Sequence, residues 1–421
     1  TRRLMLHYEA YRPIRKAIWS QIHLVYKIAR EKELENLSLD IDRDGEVIKS
    51  SVEHIYKRAI LIGRSDPYHF SFRGVTRLFE SLDQWPAMVK LNPAVDKIKD
   101  KCMFIVDLES DYAAAPFFED AGPTKGDQFL ILDTSELMDR LNGEYKAVAN
   151  DINGLKGIAQ LQGFERMEIL RHIVVSWGMH PIRKAIREES GDSCQIVFGL
   201  ANIFNILHPD FDSDDADVID MDSTAELQMV VGVFQEKFGK LRDKNALMST
   251  WKIGNESKGG FSLYHTEDTS QELRVGDLLA LRKSEDDDWT ICIVRWAMVG
   301  EDSALQAGVF KIGNNAEPIS MKPLETGADF RQLDYTAALH IPERTSFSNT
   351  DLVVAQKTIY SPSRSLYLRR KDRDHVIIAT NQIVSSRSVD VFTYRYDVKD
   401  HQRPLSHTDS LRFRGMDDQL L

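Results

Sequence analysis

Apolar residues recur at helical spacing through the first part of the chain. One stripe repeats every three or four residues: Ile14, Ile18, Ile22, Val25 and Ile28. This spacing is typical of an amphipathic helix with one buried face. A second stripe over residues 52–61 ends before Pro67, because the residue that precedes a proline disfavours the helical conformation.

Further helices are predicted over residues 73–85, 135–150 and 164–177, and the short apolar runs 103–108 and 128–132 are predicted strands. Residues 1–177 are therefore expected to form a mostly helical N-terminal domain.

Downstream of about residue 192 the pattern changes to short β-branched and aromatic runs separated by turn residues. Six of these are predicted strands: 194–200, 246–254, 261–265, 277–282, 289–296 and 306–312. Their number and spacing favour a small antiparallel barrel. An acidic insertion, about residues 201–245, separates the first two strands, and a solvated loop is the simplest interpretation of it.

The C-terminal hundred residues show the same pattern again. Strands are predicted at 352–354, 365–369, 375–379 and 389–394, which indicates a second small β-domain over 316–396. A polar tail, 397–421, is expected to be disordered. The predicted fold class is α+β and multidomain.

Charge and composition narrow the partners. Lys and Arg number 54 against 65 Asp and Glu, a net charge of −11, so neither DNA nor RNA is an expected partner, although a local basic pocket can bind a small anion. No apolar run of about 18 residues predicts a transmembrane helix. The three cysteines are scattered and odd in number, which favours a reducing compartment, the cytoplasm.

Signatures of catalysis are missing from the sequence. It contains no P-loop, no H-E-x-x-H and no G-x-G-x-x-G after a strand, and its histidines do not cluster. The acidic run that begins at Asp210 has Asp215 and Met221 where a calcium loop needs glycine and glutamate. We therefore expect no enzyme, no metal and no cofactor; an enzyme acting on a polysaccharide or nucleotide is the weakest alternative.

Two polar motifs remain. Arg183 and Arg187 are four residues apart, and guanidinium groups suit phosphates and guanine edges, although such pairs are usually only solvated. Asn255 and Ser257 precede Gly259 and Gly260; this pattern can present an amide and a hydroxyl to a flat ligand, and it also suits a plain hairpin turn.

Together these motifs resemble the PilZ family, whose signatures are R-x-x-x-R and [DN]-x-S-x-x-G. Three later segments are similar to PilZ strands in the same order: Val275–Arg282, Ile293–Trp296 and Gly308–Phe310. The resemblance covers about residues 178–315. It implies a six-stranded antiparallel β-barrel that binds cyclic di-GMP.

The resemblance also implies roles for the motif residues. Arg183 and Arg187 would contact phosphates and a guanine edge, and Asn255 and Ser257 a second guanine or its ribose. Lys258 would be an auxiliary phosphate contact, and Gly259 and Gly260 would leave room for the ligand. Trp251 and Trp177 are two possible stacking faces.

One departure from the family leaves an alternative open. The acidic insertion lengthens the gap between the two motifs, and Arg242 with Lys240 and Lys244 is the fallback for the arginine arm if the insertion does not follow the first strand. The implied function is an effector that converts cyclic di-GMP binding into control of an unidentified protein partner in motility, pilus, biofilm or exopolysaccharide output. The alternative is a PilZ-like scaffold or adaptor that binds no nucleotide.

Overall fold

A computed structural model gives the architecture of most of the chain. It describes residues 2–43, 45–71, 73–94, 102–116, 126–151, 158–178, 188–207, 248–265, 273–300, 304–324, 335–342, 350–357, 359–370 and 373–397. The chain divides into two compact units. The first contains residues 1–194, 250–277 and 293–311, and the second contains residues 195–249, 278–292 and 312–421.

Among the described residues, six α-helices precede the first barrel: α1 Arg2–Glu9, α2 Ile18–Glu31, α3 Val52–Arg64, α4 Gly74–Ser81, α5 Ser135–Asp151 and α6 Ile158–Gly178. Helix α3 begins after Ser51, whose side chain accepts a hydrogen bond from the His54 N–H and so satisfies one free donor of the first turn. Residues 60–62 of α3 are completely buried in the core of this region.

The N-terminal region also contains strands. β1 Leu39–Arg43 and β2 Glu46–Ser50 form a hairpin that the sequence analysis did not predict. A four-stranded sheet has the order β3-β6-β4-β5, with β3 Lys90–Pro93, β4 Met103–Asp107, β5 Ala115–Pro116 and β6 Phe129–Asp133. Its central strands β4 and β6 are the two that were predicted.

Six strands close into a barrel in the middle of the chain: β8 Ser193–Phe198, β9 Met248–Ser257, β10 Gly260–His265, β11 Leu278–Arg282, β12 Thr290–Val299 and β13 Leu305–Asn314. The order around the barrel is β8-β9-β10-β13-β12-β11, and a short strand β7, Glu188–Glu189, is added beside β9. The predicted six-stranded barrel is confirmed.

The insertion begins with a helix that the sequence analysis did not predict. Helix α7, Leu200–Leu207, follows β8 directly, and the Asn202 side chain donates a hydrogen bond to the Phe198 carbonyl. Because β8 and β9 are neighbours, the insertion lies between the first and second strands of the barrel. Its acidic part, residues 208–247, lies outside the described residues.

The C-terminal region forms a second closed barrel, in agreement with the β-domain predicted from the sequence. Its strands are β14 Glu317–Pro323, β15 Thr336–Ile341, β16 Leu352–Gln356, β17 Ser365–Arg370, β18 Arg373–Ser385 and β19 Val389–Tyr396. They follow the order β14-β15-β16-β19-β18-β17, and β17 pairs with β14. The α+β multidomain class is confirmed; the exact domain bounds stay a prediction, and residues 398–421 lie outside the described part.

Cys102, Cys194 and Cys292 are free thiols. Within the described ranges, no helix has the length and apolar character needed to cross a bilayer.

Candidate functional site

The Asn/Ser motif lies in a tight hairpin of the first barrel. Ser257 at the end of β9 pairs with Gly260 at the start of β10, so only Lys258 and Gly259 form the turn. Asn255 and Ser257 are therefore strand residues rather than turn residues, and the turn that follows them presents an exposed lysine.

A β-bulge at Gly254 determines which way the motif faces. Ile253 pairs with Leu263, but Asn255 pairs with Ser262, so β9 contains one extra residue between these pairs. Ile253 and Leu263 are buried on the inner face of the barrel. Because side chains alternate along a strand, an unbulged β9 would point Asn255 inward as well; the extra residue reverses the alternation and turns Asn255 and Ser257 outward.

Two glycines of the hairpin have packing reasons. A Cβ atom at Gly254 would lie 1.9 Å from the Tyr264 ring, and one at Gly260 would lie 2.0 Å from the Val309 carbonyl oxygen. Gly259 differs, because a Cβ there would meet no atom of the described residues within 4 Å. Gly260 therefore lets β10 approach β13, whereas Gly259 leaves open space beside the turn.

An ion pair fixes the inner side of the same hairpin. Lys311 of β13 lies 2.7 Å from the Glu256 carboxylate, and its ammonium group is 3.9 Å from the centre of the Phe261 ring. The Lys311 N–H also donates to the Gly259 carbonyl at 2.9 Å. These contacts hold the turn against β13 and so fix the backbone that carries the outward side chains of Asn255 and Ser257.

The outer face carries polar groups beside aromatic rings, and the Ser257 hydroxyl among them donates a hydrogen bond to the Gly260 carbonyl at 3.3 Å. Asn255 and Ser257 are half-buried, and the Asn255 amide has no hydrogen-bond partner within the described part of the chain. Phe310 pairs with Gly260, and the Arg295 guanidinium lies 5.0 Å from the centre of its ring. The Trp296 indole lies over Gly308, where a Cβ would be 1.9 Å from Nε1. This surface can bind a flat, polar, anionic molecule.

Arg295, Trp296 and Phe310 were not assigned to the site from the sequence. Segments 293–296 and 308–310 resemble PilZ strands. The sequence does not show which strands lie beside the motif, because this depends on pairing between residues that are distant in sequence. The register of β10 with β13 was the missing information.

The segment that follows the predicted arginine arm runs beside the motif. Glu188 and Glu189 of β7 pair with Glu256 and Asn255, and the Ser190 N–H donates to the Gly254 carbonyl at 3.0 Å. Arg183 and Arg187 themselves lie outside the described residues, as do the fallback residues Lys240, Arg242 and Lys244.

The two predicted stacking residues are corrected by their burial. Trp251 is 3% exposed inside the barrel, where its ring meets His265 edge-on. Trp177 is fully buried at the end of α6, and its indole N–H donates to the Leu61 carbonyl at 3.0 Å. Neither ring has a face available for a ligand.

No group of three His, Cys, Asp or Glu side chains that could hold a metal ion is found among the described residues.

Comparisons with known proteins agree with this architecture. A family model described as the cyclic-di-GMP receptor FimW N-terminal domain matches residues 1–94, and one described as its middle PilZ domain matches residues 208–318. The cyclic-di-GMP receptor FimW of Pseudomonas aeruginosa is 18% identical over 427 aligned positions, which cover 92% of this chain and 69% of that protein. No solved structure matches the chain.

The resemblance to the PilZ family is confirmed: the chain is a multidomain protein that contains a PilZ domain. The match to that domain begins at residue 208, so it includes Arg242 and the Asn255–Gly260 motif but not Arg183 or Arg187.

Proposed function

We propose that this protein is a cytoplasmic, non-enzymatic receptor that binds cyclic di-GMP on the outer face of its first barrel and passes the signal to a protein partner. The observation that carries the proposal is the outward direction of Asn255 and Ser257, which the bulge at Gly254 produces. The similarity to a cyclic-di-GMP receptor along 92% of the chain supports the ligand.

Each group has a chemical task in this proposal. The Asn255 amide can both donate to and accept from a guanine edge, and the Ser257 hydroxyl can bond a guanine or ribose. Lys258 at the exposed turn offers a positive charge to a phosphate, and the space beside Gly259 admits the ligand close to the backbone. Arginines suit the remaining phosphate and guanine edges because their planar fork bonds two acceptors at once.

Both ends of the predicted arm are anchored by described residues. Before it, the Trp177 carbonyl accepts a hydrogen bond from Thr134, and the Trp177 indole N–H donates to Leu61. After it, Glu188 pairs with Glu256. Arg187 precedes Glu188 directly in the sequence, and this supports the proposal that Arg183 and Arg187 contact a ligand bound at the motif.

Because the arm is anchored at both ends, ligand binding to the arm can change a surface that a protein partner recognises. A ligand that clamps the arm changes the connection between α6 and the barrel, and it shifts the equilibrium only by its difference in affinity for the two states. We propose that this change exposes or hides a surface that a motility, pilus, biofilm or exopolysaccharide component recognises.

Calorimetric titration of the full chain with cyclic di-GMP tests the site. Asn255→Ala is expected to weaken binding at least about ten-fold, because it removes the amide that bonds a guanine. Thr250→Ala, an exposed position on the same strand, is the matched control and is expected to bind like the parent chain. Equal affinity of the Asn255 variant would refute the site.

The arm is tested by two further variants in the same titration. Arg187→Ala is expected to abolish measurable binding, whereas Arg242→Ala is expected to leave it unchanged. The opposite result would move the arm into the insertion and agree with the start of the PilZ match at residue 208. A parent chain that binds no cyclic di-GMP would favour the alternative, a PilZ-like scaffold or adaptor that acts through protein partners alone.

A further inference from the structure

The two barrels share one strand order. Numbered from its own first strand, the first barrel runs 1-2-3-6-5-4 around the ring, with β8 to β13 as strands one to six. The C-terminal barrel runs 1-2-3-6-5-4 with β14 to β19. Six strands can close into a ring in many orders, so the agreement makes the barrels equivalent strand by strand.

Strand registers extend the equivalence to single residues. In the first barrel Ser257 pairs with Gly260, and in the second Ile341 pairs with Leu352. Glu256, which forms the ion pair with Lys311, is then equivalent to His340. His340 also meets a charged side chain at this end of its barrel, since its Nε2 lies 2.9 Å from the Asp351 carboxylate.

The outer faces of the equivalent strands differ in chemistry. β15 pairs with β16 through four consecutive residues without a bulge, and Ala338 and Val353 face the barrel core. Their neighbours therefore face outward. These outward residues are apolar and 0% exposed: Leu339, Ile341, Leu352, Val354 and Val391. They occupy the face on which the first barrel carries Asn255 and Ser257.

Helix α7 lies against this region. Within the second compact unit, α7 packs on β15, β14 and β11. Its sequence, LANIFNIL, is mostly apolar, and Ile203 and Phe204 are buried. A helix of eight residues is not stable alone in water, so its helical state depends on this packing.

We propose that residues 317–396 are a second barrel of the PilZ type, whose equivalent face holds helix α7 of the same chain and binds no nucleotide. The proposal rests on the proposed function only for the use of that face in the first barrel. An apolar, fully buried surface with a helix packed against β15 has neither the polar groups nor the space for a dinucleotide. The second barrel thus anchors the start of the insertion that interrupts the first.

Amide hydrogen exchange on the full chain, without ligand, tests the anchoring. Leu339→Ser removes apolar contact from the face, and the amides of residues 200–207 are expected to exchange at least about ten-fold faster. Arg369→Ser, an exposed position of β17, is the matched control and is expected to leave α7 unchanged. Slow exchange at residues 376–379 and 391–393 shows that the barrel itself is still folded.

If the Leu339 variant loses that barrel protection, the reciprocal change decides. Phe204→Ala leaves the barrel sequence intact and is expected to speed exchange in α7 and at residues 337–341, whereas Asn205→Ala, exposed on the same helix, changes neither. Unchanged exchange of α7 in the folded Leu339 variant, or unchanged exchange at residues 337–341 in the Phe204 variant, overturns the proposal. Because no ligand is present, this outcome is independent of whether the first barrel binds cyclic di-GMP.

Discussion

The two barrels of this chain show how one architecture can present opposite surfaces. On the second strand of the first barrel, the bulge at Gly254 turns Asn255 and Ser257 outward. The second strand of the other barrel has no bulge where it pairs with β16, and Leu339 and Ile341 face outward and are buried. One inserted residue and a change of side chains separate a candidate ligand face from an internal packing face.

The strongest test of the difference concerns the barrel interiors. Asp390 on β19 is equivalent to Ala307 on β13, and both are buried. Burial raises the pKa of Asp390 to about 7, despite hydrogen bonds from Ser385 and Gln382. Because the folded state holds this proton more tightly than the unfolded state, stability falls as pH rises from about 4 to about 7.

Asp390→Asn removes this loss, since the amide stays neutral and its oxygen accepts the same hydrogen bonds. At pH 8 the variant is expected to be more stable than the parent by up to about 4 kcal/mol, and near pH 4 the two should be alike. Calorimetric melting of both chains at the two pH values measures the difference. A gap that does not change with pH would show that Asp390 is charged in the fold.

Leu339→Ala is the next largest change expected. Truncation of a fully buried leucine costs about 2–4 kcal/mol, so thermal unfolding of the full chain should shift to lower temperature. Cyclic di-GMP affinity should not change, because we propose that the ligand binds the first barrel and not the second. If the variant bound cyclic di-GMP more weakly but kept the stability of the parent, the ligand would bind the second barrel, contrary to the proposal.

Gly260 and Gly259 provide a smaller contrast within the hairpin. Gly260→Ala forces a Cβ against the Val309 carbonyl and is expected to cost about 2 kcal/mol of stability. The methyl group of Gly259→Ala meets no atom of the described residues, so the melting temperature should not change. The same methyl group narrows the space for the ligand and is expected to weaken binding. Equal melting temperatures for the two variants would contradict the close approach of β10 to β13.

The ion pair of Glu256 with Lys311 should contribute least. Both side chains are partly exposed, so Glu256→Gln is expected to cost no more than about 1 kcal/mol. Urea unfolding of the variant and the parent at matched salt measures it, and a cost of several kcal/mol would mean that the pair, rather than the bulge, fixes the hairpin.

The sequence predicted local features better than long-range ones. The strands of the first barrel and the last four strands of the second were predicted because β-branched runs alternate with turn residues, whereas β14 and β15 were not named. The Asn/Ser motif was recognised as a short pattern. The direction of Asn255 was not, because Gly254 was indistinguishable from an ordinary turn glycine until the pairing of Ser262 was known. Helix α7 was missed because its apolar residues cover most of its surface in only eight positions.

The shared strand order of the two barrels was also not predicted, because it too depends on long-range pairing. Ring order depends on pairs such as β16 with β19, which are distant in sequence. Trp177 and Trp251 were proposed as stacking faces because they lie near the motifs in sequence. Sequence position alone does not show whether a tryptophan ring is buried in a core.

Amide hydrogen exchange of the full chain with and without cyclic di-GMP tests the central claim most directly. We expect the ligand to slow exchange at residues 253–262 and 306–311 of the first barrel and to leave residues 336–341, 352–356 and 389–396 of the second barrel unchanged. Slower exchange in the second barrel, or no change in the first, would contradict the account.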